Sequence, residues 1–348
     1  MDKTAFQEDL LGWYQSVKRD LPWRINQDPY RILVSEIMLQ QTQVITVIPY
    51  YERFLEWFPA PEALAAADEA KLLKAWEGLG YYSRARNLQA AAQMIVDNGG
   101  FPTTHEGILK LKGVGPYTAG AVGSIAFGLP VPAVDGNVFR VISRIFLIFE
   151  DIMKQKTRKI FESAVSELIP SNAAGDFNQA LMELGATICK PKSPKCLECP
   201  VQVHCLAFKE GLDDQLPVKT KPVKQKKIKL VVGIVENQYG EVLLNKRPET
   251  GLLSSFYEFK TIEYKGRKEP EAYLKDNLAS LGTISEIKSL GAFQHVFSHR
   301  IWEMEAYAVK IKAAAEEVAE SEDIWVKTEN LKDISLVTAH LKIWNAIE

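Results

Sequence analysis

Apolar residues recur at helical spacing over much of the chain before residue 205. They stand three or four positions apart with polar residues between them, which is typical of amphipathic helices. Four segments carry this pattern most clearly: residues 31–58, 61–76, 82–98 and 138–149. Prolines and glycines separate these segments and mark turns. The pattern therefore predicts that the region up to residue 205 is almost entirely helical.

The pattern changes after residue 205. The stretch Pro217–Lys229 holds six lysines and two prolines without an acidic residue, which is typical of a solvated, semi-extended linker. Strand-like segments follow at residues 230–236 and 241–247, and the turn Asn237–Gly240 between them predicts a hairpin. Residues 272–282 predict a helix and residues 301–311 a strand, and the chain ends with a short strand and a helix.

These observations predict two domains of different fold class. We expect a helical domain over residues 1–212, a lysine-rich linker over 213–228 and a smaller α+β domain over 229–348. The length of 348 residues agrees with two domains. Hydrophobic residues make up 47% and charged residues 25%, and no apolar run is long enough to cross a bilayer, so we expect a soluble protein. Since the net charge is only −2, any contact with nucleic acid must be local.

The cysteines form one compact set. The chain holds four, spaced as Cys189-x6-Cys196-x2-Cys199-x5-Cys205. Because the opening segment MDKTAFQEDL lacks an apolar signal, we expect a reducing compartment and thiolate ligands rather than disulfides. Structural zinc usually pairs two close Cys-x2-Cys knuckles, whereas one tight pair with two outlying cysteines favours an iron–sulfur cluster. Zinc remains the alternative, and we expect the neighbouring His204 to be a surface residue.

The string Leu111-Lys-Gly-Val-Gly-Pro-Tyr-Thr-Ala-Gly120 predicts a helix–hairpin–helix motif over about residues 108–122. Gly113 and Gly115 let the backbone approach a ligand closely, and Pro116 suits the first position of a helix. The N–H groups at that helix start can bind a phosphate. A plain interhelical turn is the alternative, but the complete string favours a contact with the DNA backbone, with Lys112 beside it as a phosphate contact.

Two acidic residues lie in apolar or small surroundings. Glu36 stands in the apolar helix Leu33–Val44, where burial raises a carboxyl pKa as a general acid requires. Asp135 stands just before the helix that begins near Val138. Each has a structural alternative, because Glu36 can pair with a buried arginine and Asp135 can cap a helix. Together, on either side of the hairpin, the two residues favour a catalytic pair.

The chain up to Cys205 resembles the endonuclease III superfamily, and specifically the MutY-type adenine DNA glycosylases. The strings that carry the resemblance are Leu21-Pro-Trp-Arg24, SEIMLQQTQV, GLGYYSRARNL, LKGVGPYTAGA, VDGNV and the cysteine loop. The resemblance implies removal of adenine mispaired with 8-oxoguanine or guanine, after the nucleotide is flipped out of the duplex. It implies that Glu36 protonates adenine N7, that Asp135 stabilises an oxocarbenium-like sugar, and that Asn137 and Tyr117 orient water and these acids.

The same resemblance implies further site residues and a cofactor. A 4Fe-4S cluster is expected on Cys189, Cys196, Cys199 and Cys205. The expected walls of the adenine pocket are Trp23, Arg24, Leu39, Gln179 and Met182, although ordinary packing is the alternative for Leu39 and Met182. Gln41 and Tyr81 are expected to wedge into or stack on the opened duplex, and Thr42 to touch the opposite base. The implied partner is mispaired double-stranded DNA, bound by a monomer in the bacterial cytoplasm at the nucleoid.

Tyr117 distinguishes this chain from the bifunctional relatives. Endonuclease III-like enzymes that act on damaged pyrimidines carry at this hairpin position a lysine that attacks the sugar. Since a tyrosine cannot form an imine, lyase chemistry by that route is excluded. The pair formed by Glu36 and Asp135 also argues against a non-catalytic damage-binding protein and against a Nudix hydrolase.

The last third of the chain resembles the MutT-like, Nudix-fold domain of the same family. The matching strings are Gly251–Phe259 and Phe297-Ser-His-Arg300, although Ser254, Ser255 and Phe256 depart from the family pattern. A Nudix hydrolase needs a helix with clustered acids to hold Mg²⁺, and Glu271–Gly282 holds only Asp276 after its first residue. The resemblance therefore implies recognition without hydrolysis, with 8-oxoguanine sensed by Phe297, Ser298 and His299.

Overall fold

The chain folds into two compact units. A computed structural model describes residues 1–220, 225–249, 251–265, 268–297, 299–312 and 323–347. Unit 1 comprises Met1–Asp68 and Ser83–Lys221, and unit 2 comprises Glu69–Tyr82 and Pro222–Glu348. Unit 1 is helical and unit 2 contains a β-sheet with flanking helices, so the predicted fold class is confirmed. None of the helices in the described residues combines the length and apolar character that a membrane crossing requires.

The helices follow the apolar segments, with more breaks than the sequence pattern predicts. In the described residues they are α1 (Lys3–Val17), α2 (Pro29–Leu39), α3 (Val44–Trp57), α4 (Pro61–Ala65), α5 (Glu69–Trp76), α6 (Ser83–Asp97), α7 (His105–Leu109), α8 (Pro116–Phe127), α9 (Gly136–Phe146), α10 (Arg158–Leu168), α11 (Ala174–Thr187), α12 (Leu206–Glu210), α13 (Pro270–Leu278) and α14 (Thr338–Trp344). Short 3-10 helices lie at Pro22–Arg24, Gln155–Thr157, Cys196–Glu198, Gln202–His204 and Thr328–Asp333.

Side-chain caps fix where several helices begin. The Asp2 side chain accepts hydrogen bonds from the backbone N–H groups of Thr4 and Ala5 at the start of α1. Asp28 accepts from the N–H of Arg31 at the start of α2, and Pro29 takes the first helical position. Each cap satisfies an N–H group that has no partner within its own helix, and a cap of this kind is worth about 1 kcal/mol.

One apolar core cluster of unit 1 lies between four helices. Apolar residues of α1, α9, α10 and α11 meet there with almost no exposed surface, among them Phe6, Leu10, Val138, Ile142, Phe161, Val165, Phe177 and Leu181. Full burial of one such side chain stabilises a fold by roughly 1.5–3 kcal/mol. This core holds the start of α9 and the middle of α11 in fixed positions, and both segments border the site described below.

The segment 31–58 does not form one helix. It divides into α2 and α3, which are separated by Gln40–Gln43. Gln41 has a left-handed backbone with φ of 58°, a conformation that no helix interior accommodates. The buried guanidinium of Arg84 donates to the carbonyl oxygens of Ile37 (2.9 Å), Met38 (3.1 Å) and Gln40, and so caps the end of α2. Apolar spacing did not predict this break.

Unit 2 is built on a mixed sheet. Its described strands are β1 (Lys226–Glu236), β2 (Glu241–Lys246), β3 (Tyr257–Glu258), β4 (Lys260–Glu263), β5 (Thr283–Val296), β6 (Arg300–Lys312) and β7 (Ile324–Lys327). The central path runs β3-β2-β1-β6-β5, with β4 paired to β1 and β7 to β2. Strands β1 and β6 are parallel along their whole length, and the other pairs are antiparallel. Leu274 and Leu278 of α13 pack on this sheet against Val231, Val235 and Tyr307.

Two features of unit 2 differ from the sequence predictions. The expected linker is wrong at its end, because Lys226–Lys229 form the start of β1 and pair with Arg300–Glu303. The lysine side chains at the start of the strand are exposed, so the composition resembles that of a linker although the backbone is paired. Strand β5 was not predicted, because most of its residues are exposed and lack a clear alternation of apolar and polar positions.

The segment Glu69–Tyr82 belongs to unit 2, although the predicted boundaries place it in the first domain. Tyr82 makes side-chain contacts with other residues of unit 2. Its ring centroid lies 4.1 Å from that of the buried Phe256, and its hydroxyl is 3.1 Å from the Thr338 hydroxyl. The predicted linker does not mark the assignment of Glu69–Tyr82 to unit 2. Sequence composition does not predict a contact between one aromatic residue and a distant part of the chain.

Gly120 provides a test of packing in unit 1. A Cβ at this position would lie 2.0 Å from the carbonyl oxygen of Pro132 and 3.3 Å from Cα of Ala133. Since both neighbours are backbone atoms, we expect Gly120→Ala to lower the free energy of unfolding by about 3 kcal/mol or more. A methyl group added at Gly12 in α1 would meet nothing within 4 Å, so Gly12→Ala should raise it by roughly 0.5–1 kcal/mol. Denaturant unfolding of both variants checks this, and equal effects would contradict the packing described.

Candidate active site

A single cavity of about 710 Å³ in unit 1 brings most of the predicted site residues together. It lies between α2, the turn before α8, the start of α9 and the middle of α11. The predicted residues that line it are Trp23, Arg24, Glu36, Leu39, Gln41, Thr42, Gly113, Gly115, Tyr117, Asp135, Asn137, Gln179 and Met182. Residues from five separate sequence segments therefore face one space, although their chemical roles stay predictions.

Glu36 is buried at the wall of this cavity. It lies on α2, is only 6% exposed and accepts a hydrogen bond of 2.5 Å from the Tyr117 hydroxyl. Burial raises the pKa of Glu36 to about 7, and the hydrogen bond from Tyr117 opposes this rise. A carboxyl with this pKa is present in both protonation states near neutral pH, which is the condition for donating a proton there.

Tyr117 is held as a hydrogen-bond donor. Pro116 starts α8, and Tyr117 follows it in the first turn. Burial and the adjacent Glu36 raise the pKa of Tyr117 well above its ordinary value, so its hydroxyl keeps its proton. The same oxygen lies 3.8 Å from Sδ of Met182. Tyr117 therefore fixes the direction of the Glu36 carboxyl and cannot act as an amine nucleophile.

Asp135 is the N-cap of α9 and also faces the cavity. Its Oδ1 accepts from the backbone N–H groups of Asn137 (2.9 Å) and Val138 (2.7 Å). Its Oδ2 accepts from Nδ2 of Asn137 at 2.9 Å. Burial raises the pKa of Asp135, and these hydrogen bonds oppose the rise. The structural and catalytic interpretations thus coexist, because capping holds the carboxylate in place at the cavity wall.

Arg140 fixes the position of the Asn137 side chain. Nη2 of Arg140 donates to Oδ1 of Asn137 (2.9 Å) and to the carbonyl oxygen of Gly185 (2.8 Å). Gly185 is required for this approach of α11 to α9, because a Cβ there would lie 2.5 Å from Cβ of Asn137. Nε of Arg140 also donates to the carbonyl oxygen of Cys189 at 2.6 Å. One guanidinium therefore connects the Asp135 cap to the cysteine loop.

Glu183 lines the cavity and was missed from the sequence. It is 1% exposed, and it accepts from Nε of Arg19 (2.5 Å) and Nη2 of Arg24 (2.8 Å). Burial raises its pKa, but the two arginines outweigh that effect and hold the pKa of Glu183 below its ordinary value. One acid in the apolar segment ALMELGAT is the same signal that identified Glu36, so the sequence could have revealed it.

The hairpin between α7 and α8 has the geometry that the sequence predicts. Gly113 has φ of 76°, and a Cβ there would lie 2.6 Å from Cβ of Asn87. Gly115 is the N-cap of α8 and offers no side-chain cap. The N–H groups of the first turn are therefore available to an anion. Lys112 is exposed on the hairpin and does not line the cavity.

The two predicted wedge residues share an unusual backbone. Gln41 in unit 1 has φ of 58° and Tyr81 in unit 2 has φ of 50°, both in the left-handed region that favours glycine. Strain of this kind concentrates at functional positions. Tyr81 is 43% exposed, and its neighbour Tyr82 is fixed by Phe256 and Thr338.

The four cysteines line one small cavity together with Arg144. The buried Arg144 donates from Nη1 to Sγ of Cys189 (3.2 Å) and to the carbonyl oxygen of Lys190 (2.8 Å). In the described residues, no three Cys, His, Asp or Glu side chains converge closely enough to hold a metal ion. The expectation of a surface His204 is wrong: its side chain is 10% exposed, lies 2.9 Å from Asp9 and packs on Phe6.

The predicted lesion-sensing loop lies in unit 2 between β5 and β6. The backbone N–H of Phe297 donates to the carbonyl oxygen of Arg300 at 2.8 Å. The Phe297 ring packs against Trp302 with centroids 4.8 Å apart. His299 is exposed, and Ser298 lies outside the described residues. On α13, Asp276 pairs with Lys268 and Glu271 with Lys275.

Comparison with known proteins identifies a family for each of two regions of the chain. Residues 34–167 match the HhH-GPD superfamily base excision DNA repair protein family, and residues 231–346 match the NUDIX domain family. The adenine DNA glycosylase of Mus musculus is 35% identical over all of this chain and 78% of its own length. That of Buchnera aphidicola, from Acyrthosiphon pisum, is 33% identical over 97% of this chain and 95% of its own.

A solved structure resembles unit 1. A trapped endonuclease III–DNA covalent intermediate is 25% identical to this chain, with a TM-score of 0.51. The match covers 61% of this chain and 99% of that one. The helical unit therefore has a fold that is known in complex with DNA.

Proposed function

The chain belongs to the adenine DNA glycosylases, and we propose that it removes adenine mispaired with 8-oxoguanine or guanine, with Glu36 and Asp135 as its catalytic acids. It is a base excision repair enzyme whose partner is DNA. The observation that carries the catalytic proposal is the shared cavity: a protonatable Glu36 and a capped Asp135 face the same space, with Tyr117 bound to the first and Asn137 to the second.

Glu36 acts as the general acid. Adenine is a poor leaving group as an anion, and protonation at N7 lets it depart as a neutral base. The pKa of Glu36, about 7, keeps a useful fraction protonated at neutral pH. The Tyr117 hydroxyl holds one carboxyl oxygen, which directs the other toward the base.

Asp135 stabilises the cation that develops on the sugar. Breakage of the glycosidic bond leaves positive charge on the sugar ring, and a nearby carboxylate lowers the energy of that state. Three hydrogen bonds from Asn137 and Val138 fix the carboxylate at the cavity wall. Asn137 also lies at the cavity wall, where its amide can orient the water that attacks the sugar.

The pocket offers matching partners to the edge of adenine. The adenine ring has an acceptor at N1 beside a donor at the 6-amino group, and flipped bases are recognised at this edge. Arg24 supplies donors and Glu183 an acceptor at the cavity wall, already joined by a bond of 2.8 Å. Trp23, Leu39, Gln179 and Met182 complete the walls, where apolar surface favours a planar base.

Lyase chemistry is not part of this proposal. A bifunctional enzyme needs an amine in the site to form an imine with the opened sugar. In the described residues, no lysine lines the cavity, and Tyr117 occupies the predicted hairpin position. The product is therefore an intact strand with an abasic site.

Residues of both units are suited to contact DNA. The open N–H groups after Gly115, together with the exposed Lys112, suit a phosphate, which binds without regard to sequence. Gln41 and Thr42 stand at the cavity edge, next to where the flipped nucleotide enters. Tyr81, exposed in a left-handed turn, suits stacking on an unpaired base.

Unit 2 supplies recognition of the opposite base. A Nudix hydrolase holds Mg²⁺ with clustered carboxylates, but Glu271 and Asp276 are paired with lysines instead. The Phe297 ring packs against Trp302, and we propose that Phe297 and His299 contact 8-oxoguanine. Ser298, between them in the sequence, is the candidate for a direct hydrogen bond.

The four cysteines are proposed to hold a 4Fe-4S cluster. Their thiols line one cavity, and four thiolates are the usual ligand set of such a cluster. The buried cation of Arg144 beside Cys189 suits a site that carries thiolate charge. The bound cluster would tie the loop that follows α11 to α9, and no catalytic step is assigned to it.

Substitution of the two acids tests the catalytic proposal. Glu36→Gln and Asp135→Asn should each lower the single-turnover rate of adenine excision by at least about a hundredfold, because proton donation and cation stabilisation are lost. Binding to the same duplex should change little, since phosphate and stacking contacts supply most of the affinity. Excision is measured on adenine opposite 8-oxoguanine and opposite guanine, with alkali to cut abasic strands. Glu52→Gln, at an exposed residue of α3, serves as the control.

A near-normal excision rate in either variant would exclude that residue as a catalytic acid. Loss of binding together with excision would instead indicate that the substitution disrupts the site as a whole.

Metal analysis tests the cluster. Protein prepared without oxygen should contain about four irons and four sulfides per chain and absorb in the visible range, because four thiolates are the expected ligands. Cys196→Ala should lower the iron content. Stoichiometric zinc without iron or sulfide would contradict the proposal and favour a structural zinc site.

A further inference from the structure

A second cavity of about 590 Å³ lies next to the active site in unit 1. It is bounded by the end of α1, by residues 18–27, by the C-terminal end of α8 and by the N-terminal end of α11. Its volume is within the range of about 300–1,000 Å³ that is usual for sites that bind small molecules. Nothing in the proposed chemistry uses this cavity.

The two cavities share a wall of four side chains. Arg19, Arg24, Ile125 and Gln179 line both spaces. Arg19 and Arg24 both bind the buried Glu183, so an ion-pair network closes much of the wall. The Arg19 side chain is 40% exposed, whereas Glu183 is 1% exposed and also accepts a hydrogen bond from Arg24. When Arg19 rotates into solvent, Arg24 still pairs with the buried Glu183 carboxylate, and the wall between the two cavities is open on the Arg19 side.

The second cavity opens to solvent away from the DNA-binding hairpin. Its exposed rim includes Asp20, Asn26, Gln27, Gly128, Ser171 and Asn172. Gly128 ends α8, whereas Gly115 of the hairpin begins it. The 12 residues of α8 span about 18 Å, so the rim and the hairpin lie at opposite ends of this helix.

We propose that the second cavity is the site through which free adenine leaves the enzyme. This inference rests on the proposed function. While DNA lies on the hairpin, the flipped nucleotide fills the mouth of the first cavity. Water adds to the sugar as the glycosidic bond breaks, and adenine departs as a neutral base with its proton. The amides of Asn26, Gln27 and Asn172 and the carboxylates of Asp20 and Asp176 suit the donors and acceptors of a purine edge.

With this exit, the enzyme can release the base before it releases the DNA. Adenine leaves through the Arg19 side of the pocket, so the abasic strand can stay bound on the hairpin. The bound enzyme then covers the abasic site after the free base has entered solution. A single opening on the DNA side would require the opposite order, with adenine held until the duplex dissociates.

A covalent block at the rim tests this route. The exposed Asn172 is changed to cysteine, and the full-length protein is labelled with a bulky maleimide. The controls are unlabelled Asn172→Cys, wild type treated with the same reagent, and labelled Glu167→Cys, at an exposed residue of α10 that lines neither cavity. Duplexes carry radiolabelled adenine opposite 8-oxoguanine or guanine. Rapid gel filtration separates free adenine from the protein–DNA complex, and alkali measures excision.

We expect labelled Asn172→Cys to excise adenine at a rate within about twofold of the controls but to retain it on the complex at least about tenfold longer. Equal release from labelled and control proteins would overturn the exit route. So would retention of adenine by wild type until the DNA dissociates. If wild type forms no alkali-labile strand from either duplex, the proposed function fails as well, and that outcome is distinct from the other two.

Discussion

The burial of the Glu36 carboxyl is the constraint around which the helical unit is organised. The carboxyl has little contact with water, so the pKa of Glu36 rises to about 7, and the folded protein holds a proton that the unfolded chain releases. Stability conferred by that proton is present below the unfolded pKa and is lost as pH rises through the folded value. The fold therefore sacrifices stability at neutral pH for an acid that can donate a proton.

The rest of unit 1 holds two carboxyl groups in different hydrogen-bond environments within one cavity. Tyr117 binds Glu36 through a hydroxyl that keeps its proton, whereas Asp135 receives N–H donors from the start of α9. The Asp135 environment depends on the close approach of α9 and α11 at Gly185 and on Arg140, which also reaches the cysteine loop. The cysteine loop, which is distant from Asp135 in the sequence, thus contributes to the position of Asp135. Disorder in this loop would therefore alter the geometry of the cavity.

Most of this arrangement could be predicted from the sequence, because the residues involved stand in short sequence motifs. The hairpin glycines, the isolated Glu36 and the cap at Asp135 each stand in a short recognisable segment. What could not be predicted depends on distant contacts. The Arg84 cap that ends α2, the pairing of Lys226–Lys229 with β6 and the packing of Tyr82 on Phe256 join residues far apart in the chain. Glu183 was overlooked although its apolar surroundings resemble those of Glu36.

The pH dependence of excision tests the central claim most directly. Single-turnover rates are measured from about pH 6 to about pH 9 for wild type and for Tyr117→Phe. Since Glu36 must be protonated, the wild-type rate should fall as pH rises through the pKa of about 7. The Tyr117 hydrogen bond lowers that pKa, so the decline in Tyr117→Phe should begin at higher pH. A wild-type rate that is constant across the range would contradict general acid catalysis by Glu36.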